Sequence, residues 1–87
     1  MVPRLLQLRP KTHDWLVHMS KEAEQDGAYR VAKRLQAVIL NSEGRTSGDL
    51  ARILKAPRSE MSGWLARYQA HGVDRLLEGY RSRRQHA

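Results

Sequence analysis

"LARILKAPRSEMSGWLARY", Leu50 to Tyr68, carries two apolar stripes at helical spacing with a proline between them. Proline disfavours helical geometry at the residue before it, so the first helix must end by about Lys55. Pro57 itself is accepted at the start of the next helix, where its missing N–H costs nothing. Met61, Trp64, Leu65 and Tyr68 then fall at i, i+3, i+4 and i+7, a single face. Two short helices with a forced break of about three or four residues is the plan of a helix-turn-helix DNA reader.

The turn is spelled unusually. Glycine and then a hydroxyl-bearing cap are usual there, whereas this chain has Lys55-Ala56-Pro57. A lysine in the left-handed conformation that such turns use costs about 1 kcal/mol. Losing the capping side chain costs about another 1 kcal/mol, partly offset by proline's preset backbone and by Glu60 near the positive helix end. Both costs are small, so the geometry is expected to survive.

Working outward, Thr46-Ser47-Gly48-Asp49 resembles a capping box with Asp in place of Glu. It opens a short helix with Leu50, Ala51, Ile53 and Leu54 inward. Ala51 is the small residue that a close helix crossing needs, and Leu50, Leu54, Ala56, Met61 and Trp64 have the spacing of a clamp. The opposite face of the helix Arg58–Ala70 holds Arg58, Ser59, Ser62, Gly63, Ala66 and Arg67, with no large apolar residue. A plain solvated face would more often carry Glu/Lys pairs.

Upstream, Val2 to Leu8 is a short apolar arm. Pro10 suits a first helical position, Trp15, Leu16, Met19 and Ala23 follow at helical spacing, and Gly27 supplies a stop. Ala28, Val31, Ala32, Leu35, Val38 and Ile39 form the next stripe, with Arg30, Lys33 and Arg34 on its other side, ending at Asn41 to Gly44. Downstream, His71-Gly72 closes the second helix of the pair, and Val73, Leu76 and Leu77 predict one more short helix before Gly79. No strand pattern of useful length occurs. The fold class is all-α: a small helical bundle containing a homeodomain-like or paired-like helix-turn-helix. Residues 1–79 form the domain, with the helix-turn-helix proper at about 46–71. Residues 80–87 have no apolar period and are expected to be a flexible basic tail.

The 87 residues suit one small domain and leave no room for a separate catalytic domain beside it. There is no cysteine, which excludes disulfides and thiolate metal sites and fits a reducing compartment. The longest apolar run is Ala37 to Leu40, far short of a membrane span, and MVPRLLQLRP lacks the apolar core of a secretory signal. A cytoplasmic, nucleoid-associated location is expected. The net charge is +7, unevenly spread: residues 1–43 hold seven basic and five acidic residues, residues 44–87 nine and four. Such an excess suggests a polyanionic partner.

Catalysis is not expected. Asp14, Asp26, Asp49 and Asp74 fall singly on different elements, mostly near helix ends, where dipole interactions explain them. His13 and His18 are five apart and do not share a helical face as a metal pair must. No phosphate-binding glycine loop and no nucleophile with an evident base occur. No cofactor and no metal are therefore expected. Trp15 and Trp64 are read as core residues.

The partner expected is double-stranded DNA. Arg58, Ser59 and Ser62 are the candidate base readers, since the N-terminal residues of a recognition helix reach base edges. Arg58 bidentate to guanine would give most of the discrimination. Thr46, Ser47, Lys55 and Arg67 are candidates to grip phosphates, followed by Arg30, Lys33 and Arg34. Arg81, Arg83 and Arg84 form a candidate minor-groove arm.

Residues from about 28 to 84 resemble the N-terminal helix-turn-helix region of mariner-like bacterial insertion-sequence transposases. The phrases that carry the likeness are "YRVAKRLQAVILNSEGRTSGDLARIL", "MSGWLARYQAHGVDRLLEG" and the closing "RSRR"; the start "PKTHDWL" is similar more loosely. The resemblance implies a paired-like fold that binds the inverted repeats of a mobile element. Transposition chemistry is not implied for these residues. The chain departs from the pattern at Lys55 for glycine, Pro57 for the hydroxyl cap and Gly63 for a basic residue. A stand-alone repressor is the alternative among DNA binders, and a homodimer on a palindromic site would mark it. A small protein-interaction or inhibitor module is the alternative of another class; it requires an exposed apolar patch. An RNA binder would need aromatics on a sheet or polar face.

Overall fold

Pro10 opens α1 (Pro10–Gln25), the first helix of the computed structural model, which describes residues 5–78 and Tyr80. α1 stops at Gly27, where φ is +78° and the Ala28 N–H turns back to donate to the Ala23 carbonyl at 2.8 Å. This return bond after a left-handed glycine satisfies one of the carbonyls that a helix end leaves open. α2 (Tyr29–Ser42) ends the same way, at Gly44, with the Arg45 N–H donating to the Leu40 carbonyl at 3.1 Å. α3 (Ser47–Ile53), α4 (Arg58–His71) and α5 (Val73–Leu76) complete an all-helical bundle. Among the described residues no helix is long and apolar enough to cross a membrane.

α2 is the centre of the bundle. Its apolar stripe is wide enough to serve two cores, and among the described residues it packs against all four other helices, whereas α2 is the one helix that α1 packs against. The larger core joins Leu16 and Ala23 of α1 to Val31, Ala32, Leu35, Val38 and Ile39 of α2 and Leu76 of α5. The smaller joins Ala37 of α2 to Leu50 of α3 and Met61 of α4, with Leu40, Ala51, Leu54 and Ala56 against them. Trp64 and Leu65 border both. Each Leu or Met sealed in this way contributes about 1.5–3 kcal/mol relative to its exposed state.

Two polar side chains fix the segments before α1 and after α5 onto this bundle at Leu6 and Tyr80. Asn41, only 2 % exposed, accepts a hydrogen bond from the Leu6 N–H at 2.9 Å through Oδ1. Its Nδ2 donates to the Arg45 carbonyl at 2.8 Å. The described part of the arm, from residue 5, is thereby docked, with Leu6 and Leu8 on the larger core. Tyr80 packs on the same core and donates its hydroxyl to Asp26 Oδ2 at 2.8 Å. Tyr80 therefore belongs to the domain and not to the tail that the sequence pattern begins at residue 80.

Three other expectations need correction. Trp15 is 43 % exposed, because α1 has one neighbour and a single helix covers only the stripe through Leu16, Ser20 and Ala23. Ile53, expected inward, is 46 % exposed: on this seven-residue helix Leu50, Ala51 and Leu54 fill the contact with the second core. Pro57 is the residue before α4, as a helix starting at Arg58 requires, with φ −60° and ψ 141°, but α4 runs one residue further than expected, to His71.

Candidate nucleic-acid interface

The unit Thr46 to His71 is built from local chemistry. The Asp49 N–H donates to Thr46 Oγ1 at 3.3 Å and the Thr46 N–H donates to Asp49 Oδ2 at 3.2 Å, so the capping box read from the sequence is formed. Arg52 donates to the free side of the same carboxylate at 2.9 Å. The Thr46 backbone N–H, then its side-chain hydroxyl, with Arg52 and Arg45 nearby, hold the Asp49 carboxyl below its ordinary range. α3 ends at Ile53, Lys55 takes φ +55°, and the Ala56 N–H donates to the Ala51 carbonyl at 3.0 Å. Lys55 thus adopts the left-handed conformation for which the turn ordinarily selects glycine.

α4 then offers three distinct sides. Met61, Leu65 and Tyr68 face the bundle. The outward side is bare: Ser59, Ala66 and Ala70 are exposed, and a Cβ at Gly63 would meet no atom within 4 Å. Glycine inside a helix costs about 1 kcal/mol relative to alanine, and nothing inside the fold requires it here. On one flank, Ser62 and Gln69 look across a shallow cleft lined also by Ser47, Asn41 and the arm residues Leu5 and Leu6; among the described residues no charged side chain lines it. On the other flank the charge is concentrated. Arg30, Lys33 and Arg34 of α2 line a cleft of about 200 Å³ with Glu60, Met61 and Trp64 of α4. Arg67 and Arg75 border the adjoining cleft with Arg34, Trp64 and Glu78.

The sequence-predicted site residues are placed as follows. Arg58 and Ser59 are exposed on the first turn of α4, and Ser62 is exposed one turn later. Lys55 is exposed in the turn, while Thr46 and Ser47 are half-buried, the former within its capping box. Arg67, Arg30, Lys33 and Arg34 come together on the charged flank, away from Ser62. Arg81, Arg83 and Arg84 lie outside the described residues.

Sequence reasoning missed what Trp64 does. It is half-buried, and its ring carries two guanidinium groups, Arg34 at 4.0 Å and Arg67 at 4.7 Å from the centroid. The Trp64–Arg67 spacing of three residues on one helix was a usable signal; Arg34 arrives from another helix and left none. Reading Trp64 as a core residue alone is therefore incomplete. Burial, joined by the like charges of Arg30 and Arg67, holds the Arg34 guanidinium below its ordinary value.

Comparison of the chain with protein-family models, curated proteins and solved structures finds no match.

Proposed function

We propose that this domain binds double-stranded DNA, setting α4 into the major groove. One observation carries the reading: the outward side of α4 is kept bare by Ser59, Gly63, Ala66 and Ala70, at a cost the fold does not require. Small residues let a helix approach closely, and in this reading the surface approached is the groove floor. The cations along one flank supply the phosphate attraction. Arg58, Ser59 and Ser62 read bases; Lys55, Arg67, Arg30, Lys33 and Arg34, with Thr46 and Ser47, meet the backbone. The phrases that resemble those of mariner-like transposases extend the proposal to the inverted repeats of a mobile element as the target, with a stand-alone repressor as the variant of the same chemistry.

The test is titration of a labelled duplex at several salt concentrations. Affinity is expected to fall by about 0.9 log unit per log unit of salt for each phosphate neutralised. A flat dependence, or no binding at low salt, overturns the reading. It would favour a protein-interaction module, for which Trp15, Tyr29 and Ile53 supply exposed apolar surface.

A further inference from the structure

Arg34 and Arg67 come from different helices, yet both guanidinium groups lie over the one indole of Trp64. A leucine or methionine at either position would cover the ring equally well and bring no charge. Instead, Arg30 and Arg67 stand close enough for their like charges to act on Arg34, with Glu60 and Glu78 acting in the opposite sense. Among the described residues none of Arg30, Lys33, Arg34 and Arg67 forms an ion pair. Glu78 on this flank is engaged by Arg75 at 3.4 Å, which leaves Glu60 as the other carboxylate of the clefts. Cations gathered on one flank without an ion pair, two of them with their planar groups held by an aromatic face, are arranged for an anion that comes from outside. Stacking fixes the plane of a guanidinium, leaving its edge N–H groups to donate, and that is the geometry phosphate oxygens accept.

We infer that Trp64 is a positioning residue that holds Arg34 and Arg67 as a paired clamp for two backbone phosphates, making the α2–α4 flank the main electrostatic grip. The inference rests on the DNA reading above and says where its charge acts. Cations elsewhere, such as Lys11 and Lys21 exposed on α1, take no part.

The experiment is duplex binding between about 50 and 200 mM salt for the parent and three sets of variants, with a thermal melt of each. Arg34→Gln with Arg67→Gln should lower the slope of log affinity against log salt by about 1.8, two phosphates at about 0.9 each. Lys11→Gln with Lys21→Gln should leave it unchanged. Trp64→Phe, which keeps an aromatic face, should retain the parent slope. Trp64→Leu should lose as much slope as the arginine pair while both arginines remain. If Trp64→Leu does not fold, the arginine pair and Trp64→Phe decide: loss of slope in the pair with retention in Trp64→Phe supports the clamp. Duplex binding whose slope the arginine pair does not move overturns the clamp and leaves the DNA reading standing. A folded Trp64→Leu variant with full slope overturns the positioning role. No duplex binding by the parent overturns both.

Discussion

The Ala56 N–H closes on the Ala51 carbonyl at 3.0 Å, and this bond across the α3–α4 turn holds Lys55 at φ +55°. The two alanines also meet in the smaller core, so the polar and apolar parts of the turn agree. Lys55 alone bears the strain. Lys55→Gly should raise stability by a few tenths to about 1 kcal/mol, the relief of left-handed strain less the extra freedom of glycine when unfolded. Chemical denaturation measures this. Lys55→Gln keeps the strain and removes the charge, so in the proposed function it should weaken duplex binding without a gain in stability.

Gly63 gives a prediction with opposite signs. Since a Cβ there meets open space within the fold, Gly63→Ala should stabilise the domain by about 0.5–1 kcal/mol. The same methyl group stands on the side proposed to approach DNA, and duplex affinity should fall. A thermal melt and a titration on one sample decide it; a gain in both would show that the bare side of α4 is not a contact surface.

Asn41 is the staple of the N-terminal arm. Asn41→Leu should cost about 1–3 kcal/mol, because the Leu6 N–H and the Arg45 carbonyl each lose a partner. The arm should then detach first. Amide exchange at Leu6 should speed up far more than at Leu35, in the middle of α2.

Two titrations follow from the ends of the helices. His13 Nε2 lies 2.7 Å from Glu43 Oε2, and this hydrogen bond, with Asp14 adding to it, raises the His13 pKa above 6.5. A raised pKa means that the pair stabilises the α1–α2 hairpin fully below pH 6.5 and ceases to do so as pH rises through the folded value. Asp49 runs the other way. Its pKa is depressed, so the contribution of the α3 cap is present above the unfolded carboxyl value, about 3.9, and is lost as pH falls through the folded one. In NMR titrations Glu43→Gln should bring His13 back toward 6.5, and Thr46→Ala should raise Asp49. Thr46→Ala should also cost about 1 kcal/mol at neutral pH through the missing cap.

What was legible in the sequence was the chemistry of neighbours along the chain. Pro10, Gly27, Gly44 and Gly72 mark helix ends because a fixed or left-handed φ acts on adjacent peptides. The Thr46–Asp49 box and the turn at Lys55 are likewise settled within a few residues. Periodicity located the stripe of α2 but not how many helices would cover each face, and there Trp15 and Ile53 went astray. Of the candidate site, the small outward side of α4 could be read from its own spacing. The meeting of Arg34 with Trp64, and of Tyr80 with Asp26, depends on how α2, α4 and the chain end pack, which no local pattern encodes. Asn41 in phase with Ala37 and Val38 did carry a signal, since a polar group in a buried stripe demands partners.

The single-neighbour packing of α1 divides the molecule into cooperative units of unequal strength. Opening α1 breaks one helix interface, whereas opening α2 breaks every interface it makes, four in all. Under native conditions α1 amides should therefore exchange through a partial opening, and those of α2 only through global unfolding. Arg30, Lys33 and Arg34 ride on the unit that opens last, and the exposed Trp15 rides on the one that opens first.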